Sequence, residues 1–137
     1  MNINFKNELP SIDQYFVLFL TTRWNDEYHF TKSELEKANR HSWHSVSAYL
    51  DEILVGFGRI ISDGIYHALI VDVMVHPDYQ NKGIGREIMN RLIAKCKEYK
   101  IRDVQLFAAK NKFTFYEHLG FFIRPANAPG MQLKRTE

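Results

Sequence analysis

The residues of this chain best equipped for chemistry run from Gln80 through Asn81, Lys82, Gly83, Ile84 and Gly85 to Arg86. They follow a β-branched run, Ile70 to Val75, that closes on His76-Pro77, and they lead into a strongly helical segment. A strand that passes through a glycine-bearing turn into a helix start presents backbone N–H groups with no intrahelical partner, and the helix dipole adds positive potential at that end. Glycine at 83 and 85 lets the backbone approach an anion with no Cβ between them. Lys82 and Arg86 add full charges. The chemistry such a loop supports is phosphate binding.

The spacing excludes the commonest phosphate loops. A P-loop needs Gly-x-x-x-x-Gly-Lys followed by Ser or Thr, and that string is absent. A dinucleotide fingerprint needs Gly-x-Gly-x-x-Gly, whereas the spacing here is Gln-x-x-Gly-x-Gly with Asn at 81. Asn tolerates positive φ, so the turn stays feasible.

Gln80-x-x-Gly83-x-Gly85 after Asp72-Val73-Met74-Val75-His76-Pro77 resembles the acetyl-CoA signature of the GNAT acetyltransferases. A second block, Phe115-Tyr116-Glu117-His118-Leu119-Gly120-Phe121, resembles that family's Phe-Tyr-x-x-x-Gly-Phe helix and following strand. The blocks keep the family's order, and their region covers roughly the second half of the chain. The resemblance implies a cofactor, acetyl-CoA, and no metal. Its pyrophosphate would lie on the 80–86 loop, with Lys82 and Arg86 also available to the ribose phosphate. Its pantetheine amides would pair with the backbone of Val73, Met74 and Val75, where the family's central strand splays from its neighbour.

The resemblance places a general acid at Tyr116. A phenol with a pKa near about 10 holds a proton ready for a departing thiolate. Asp72 interrupts an apolar strand, which is costly unless the carboxylate is paired or hydrated. It is either the general base, or the anchor of a base-relay water, or an inward carboxylate satisfied by structural hydrogen bonds. His76 at the strand's end is expected in the turn, and His67 is the remaining candidate, since relatives with a Glu earlier on this strand have no counterpart in Tyr66-His67-Ala68-Leu69. The family's Asn seven residues before the Tyr is replaced by Ala109, with Asn111 as the nearby substitute for that cofactor contact. For the acceptor, Trp24, Tyr28 and Phe30 offer an aromatic surface, and Asp26 or Glu27 offers a counter-charge for an ammonium. The same aromatics also suit a capped loop pinned to the core.

These residues need a scaffold. Ile3 to Lys6 reads as an edge strand, and Pro10-Ser11 opens an amphipathic helix carrying Ile12, Tyr15, Phe16, Leu18 and Phe19. Thr31-x-x-Glu34 is a capping-box pattern that starts a helix through about Asn39. A hairpin follows around Asp51-Glu52, then a long strand from Tyr66 to His76 and a helix from Ile84 to Tyr99. Val104 to Ala108, Gly120 to Ile123 and Met131 to Arg135 read as strands, with a short helix from Lys112 to Leu119. The expected fold is α+β, in three layers, with a mixed central sheet, the order β-α-α-β-β-β-α-β-α-β-β and splayed central strands. Residues 1–137 are expected to form a single domain.

Composition narrows the partners. A net charge of +2 is too small to suggest nucleic acid or an anionic membrane surface. No apolar run approaches the roughly 20 residues that span a bilayer. No secretory leader pattern opens the sequence, and the lone Cys96 has no disulfide mate, so a cytoplasmic location is expected. Cys96 has no neighbour in sequence that would activate its thiol, which points to a packing role. The function implied is acetyl transfer from acetyl-CoA to a primary amine by direct attack on the thioester, with a small, arylalkyl-type amine favoured. The alternatives are a protein lysine or N-terminal acetyltransferase, and a non-catalytic acyl-CoA-binding sensor. Pairing into a homodimer through an exposed edge strand is also expected.

Overall fold

The computed structural model describes residues 1–135. Its chain packing divides into two units, Met1–Phe107 and a smaller one from Ala108 onward.

The larger unit holds a five-stranded sheet in the order β1 (Ile3–Lys6), β2 (His44–Leu50), β3 (Ile53–Ser62), β4 (His67–Val75) and β5 (Asp103–Leu106). The first three pairings are antiparallel and β4–β5 is parallel, so the sheet is mixed as expected. Helix α1 (Ile12–Leu20) is capped by Ser11, whose side chain accepts from the Gln14 N–H. Helix α3 (Lys32–Arg40) starts with the full capping box, Thr31 and Glu34 each satisfying the other's backbone N–H. Between them the chain forms a short helix, α2 (Asn25–Tyr28), inside the stretch read from sequence as a loop. Helix α4 (Ile84–Glu98) links β4 to β5, supplying the crossover a parallel pair requires.

Alternation along β3 separates the layers. Phe57 packs with Tyr15, Leu18 and Phe19 of α1, Leu35 of α3 and Met74 of β4 on one face. Gly56 and Gly58 point to the other face, toward α4. The helix is anchored there by Ile84, Ile88, Met89, Leu92 and Cys96, all buried. Each large apolar side chain so buried is worth about 1.5–3 kcal/mol. A Cβ on Gly58 would lie 2.9 Å from Ile88 Cγ2 and 3.0 Å from Leu92 Cδ1, so the missing side chains set how closely α4 approaches the sheet. The first buried residue of that helix, Ile84, belongs to the glycine loop. Packing over β3 therefore fixes the position of the loop.

Among its described residues the smaller unit contains one helix, α5 (Phe113–Glu117). Neither Gly120–Ile123 nor Met131–Arg135 is a strand, which corrects the expected element order at its end. Strand propensity is present in both segments, but a strand exists only when a neighbour completes its hydrogen-bond ladder, and neither segment joins a strand pair.

Candidate active site

The register of β4 creates the first element of the site. Its pairing with β5 runs from His67↔Asp103 to Ile70↔Leu106 and stops. From Val71 to Val75 the strand continues beside β3, with no strand partner on the β5 side among the described residues. The stretch beyond the β5 pairing contains Val73, Met74 and Val75, the residues expected to meet the pantetheine arm. It leaves backbone donors and acceptors available to an added extended chain.

A bulge lies within that open half. Phe57 pairs with Met74 and Arg59 with Val71, so Asp72 and Val73 together oppose Gly58. Asp72 takes φ 58°, in the left-handed region, which costs a non-glycine residue roughly 1–2 kcal/mol. Its carboxylate is not free: Arg59 Nε donates to Asp72 Oδ2 at 2.8 Å, and the guanidinium also donates to the Ala38 carbonyl and to Ser42 Oγ. The Arg59 side chain is 11% exposed and that of Asp72 29%. The ion pair therefore joins β3, β4 and the end of α3. Beside it, Tyr15 is fully buried and hydrogen-bonded to Asn39; burial, reinforced by the Asp72 charge, pushes its phenol well above the ordinary range.

The phosphate loop follows. His76 closes β4 by donating its N–H to the Val55 carbonyl, and its Nδ1 accepts from the Asp78 N–H, so the imidazole is a turn residue. The Gln80 side chain reaches back to donate to the Val75 carbonyl at 3.1 Å, tying the loop to the strand end. Asn81 and Gly83 adopt φ 61° and 85°, both left-handed. Gly83 is the N-cap of α4 with no side-chain cap, and the first intrahelical bond runs from Glu87 N–H to the Gly83 carbonyl. The N–H groups of Ile84, Gly85 and Arg86 thus point out of the helix start with no partner four residues back. A Cβ on Gly83 would meet nothing within 4 Å, so the space beside this N-cap residue is open. Lys82 and Arg86 are exposed, and among the described residues neither is in an ion pair. These groups fit a phosphate-bearing ligand by donor geometry and by charge.

The acceptor candidates form an ordered surface. The Asn25 side chain donates to the Phe30 carbonyl and accepts from its N–H, closing the loop around α2. Tyr28 and Phe30 stack at 5.4 Å, while Trp24 packs edge-on against core Phe19 at 5.9 Å; all three keep part of their rings exposed. Asp26 is paired with Arg23 at 2.6 Å and is thereby partly neutralised as an ammonium counter-charge. His67 lies at the start of β4, stacked on Tyr66 and 3.9 Å from Asp103, at the opposite end of the strand from the bulge.

In the smaller unit, Tyr116 sits on α5 between Phe115 and Phe121, both edge-on to its ring. Burial raises its phenol above the usual range, so it stays protonated at neutral pH. Asn111 adopts φ 63° just before the helix. No group of three or more His, Cys, Asp or Glu able to hold a metal occurs among the described residues. No helix among them is long and apolar enough to cross a membrane.

Sequence reasoning missed Arg59, Gly56 and Gly58. The only signal was the Gly-Phe-Gly alternation at 56–58, which marks a close helix approach once the segment is known to be a strand.

A family model described as "Acetyltransferase (GNAT) family" matches residues 9–121. Among curated proteins, an uncharacterised N-acetyltransferase named ycf52 from Porphyra purpurea is 41% identical over 78 residues, covering 57% of this chain and 45% of its own length. Serotonin N-acetyltransferase 2, chloroplastic, of Oryza sativa subsp. japonica is 31% identical over 114 residues, covering 78% of this chain and 57% of its own. The chain spans about half the length of the curated relatives it matches. A GNAT-family acetyltransferase structure from Streptococcus pneumoniae superposes with TM-score 0.83 at 27% identity, covering 99% of this chain and 100% of that one.

Proposed function

The chain belongs to the GNAT acetyltransferase family, and we propose that it moves an acetyl group from acetyl-CoA to a primary amine, with a small arylalkyl-type amine as the favoured acceptor. The observation that carries this reading is the junction of two features in one unit. The half of β4 without a partner on its β5 side runs directly into a glycine-capped helix start.

Acetyl-CoA supplies an activated thioester that an amine can attack directly. In this reading the N–H groups of Ile84, Gly85 and Arg86 bind the pyrophosphate, aided by Lys82 and Arg86. Backbone groups of Val73, Met74 and Val75 align the pantetheine arm as an added strand, with Gln80 and Asn81 shaping the loop. Asn111 replaces the family's usual cofactor contact in the second block. Tyr116 gives its proton to the departing sulfur as the C–S bond breaks and the N–C bond forms, while the nitrogen loses its own proton to water, from which the phenolate is reprotonated. The ion pair with Arg59 favours the reading in which Asp72 holds the bulge over the one in which it is the base.

Trp24, Tyr28 and Phe30 form the acceptor surface in this proposal. The name of the rice relative, a serotonin N-acetyltransferase, supports an aromatic amine. Free-CoA release across arylalkylamines, polyamines, aminoglycosides and lysine peptides tests the reading. Turnover confined to arylalkylamines, lowered roughly tenfold or more by Tyr116→Phe, is expected. Turnover on lysine peptides alone would move the assignment to a protein substrate, and CoA binding without turnover would favour a sensor. A cytoplasmic site of action remains part of this proposal, although the rice relative is named chloroplastic.

A further inference from the structure

The bulge in β4 is gripped from both sides of Gly58. On one side Phe57, paired with Met74, packs edge-on against the Tyr15 ring at 5.0 Å. On the other, Arg59, paired with Val71, donates to Asp72 Oδ2 at 2.8 Å and to the Ala38 carbonyl and Ser42 Oγ at 3.3 Å each. A bulge leaves its extra residue outside the ladder, so pairing with β3 does not by itself fix the backbone at Asp72 and Val73. The side-chain grip does.

The same grip reaches the elements behind the acceptor candidates. Ala38 and Ser42 lie at and just beyond the end of α3, where the Ala38 and Asn39 carbonyls also accept from the His41 and Ser42 N–H groups. Asn39, buried beside them, is hydrogen-bonded to the Tyr15 phenol. Tyr15 stacks on Phe19 of α1, and Trp24 packs against Phe19 in turn. With its side chain 11% exposed, Arg59 is placed to hold these elements together rather than to meet a substrate.

We propose that Arg59 is a positioning residue for acetyl transfer. By tying the Asp72 bulge to the end of α3, it sets the part of β4 that aligns the acyl donor in register with the acceptor surface at Trp24. This rests on the reading of β4 as the donor strand. Lysine cannot take over the role: an ammonium is a point charge, whereas three acceptors on two elements need the planar fork of a guanidinium. The phosphate loop is braced separately, by Gln80 on the Val75 carbonyl and by the His76 N–H on Val55. Donor affinity and donor alignment should therefore come apart in a variant at 59. Misplacing a reacting group by about 1 Å can cost on the order of 100-fold in rate.

The test combines steady-state acetylation of the amine that turns over fastest, CoA calorimetry and amide hydrogen exchange. It compares the wild type with Arg59→Lys, which keeps a cation beside Asp72 so that the chain still folds. The variant is expected to lose about 30-fold in kcat while its CoA affinity stays within about threefold. Exchange should quicken roughly tenfold or more at Asp72 and Val73, and stay as in the wild type at Ile88, Met89 and Leu92. A merely structural role would leave kcat per folded molecule unchanged. A variant with wild-type kcat overturns the proposal, as does one whose kcat falls only as far as its CoA affinity does. A wild type that binds no CoA sinks the donor-strand reading itself, and this inference with it. If CoA binds but no amine turns over, exchange at Asp72 and Val73 decides alone, and unchanged rates there overturn the proposal.

Discussion

Arg59 on β3 donates through Nε to Asp72 Oδ2 on β4 at 2.8 Å, across the bulge where two β4 residues oppose one on β3. The pair compensates a strained backbone with a charge-assisted hydrogen bond, worth about 1.5–3 kcal/mol, inside the strand proposed to align the acyl donor. The same guanidinium reaches the Ala38 carbonyl, so the bulge is braced against α3 as well.

Substitutions at 72 separate backbone from charge. Asn also tolerates the left-handed region and its amide oxygen can still accept from Arg59, so Asp72→Asn should lose only the charge assistance, about 1 kcal/mol in urea unfolding. Asp72→Ala loses both and should cost about 2–3 kcal/mol. If Asp72 acts by holding the bulge, Asp72→Asn keeps most of the acetylation rate; a loss of roughly 100-fold or more would identify the carboxylate as the base.

Gly83 is expected to be intolerant for conformational reasons. Its φ of 85° and the open space before it mean that an added Cβ meets strain and then stands in the anion's approach. Gly83→Ala should destabilise the fold by about 1 kcal/mol and weaken CoA binding roughly tenfold by calorimetry.

The two β3 glycines should differ. At Gly58 the new Cβ would press on Ile88 Cγ2 at 2.9 Å, an atom fixed to the Ile88 Cβ, whereas at Gly56 it would meet the more mobile Ile88 Cδ1 at 2.9 Å. Gly58→Ala is expected to cost about 1–3 kcal/mol by overpacking, and Gly56→Ala less. Thermal unfolding of both variants checks the order.

Burial of the Tyr15 phenol makes a pH prediction with a definite sign. The folded state keeps a proton that the unfolded chain releases above about pH 10, so stability is full below that pH and falls as pH rises past it. Tyr49 and Tyr116, also raised by burial, act in the same direction. Urea unfolding between pH 8 and 11 should show the decline, and Tyr15→Phe should reduce its slope by about 1.4 kcal/mol per pH unit.

What could be read from sequence was local. The Thr31 capping box, the helix from Ile84 and the Gln80–Arg86 loop are encoded within a few residues, and the structure forms each of them. The Arg59–Asp72 pair depends on a bulge, which is a property of two strands in register and has no signature in either alone. The strands read at 120–123 and 131–135 failed for the complementary reason. Their residue types suit a ladder, but a ladder needs a neighbour that local sequence does not name. Asp26 reads as a free carboxylate until the turn brings Arg23 within 2.6 Å of it.

In the proposed mechanism the open half of β4 and the start of α4 together hold the CoA moiety. Titrating CoA into isotope-labelled protein and following backbone amide resonances tests it most directly. The largest shifts are expected on Val73 to Val75 and on Gly83 to Arg86, and Gly83→Ala should weaken them. Binding that leaves both segments unperturbed, or no binding at all, would contradict it.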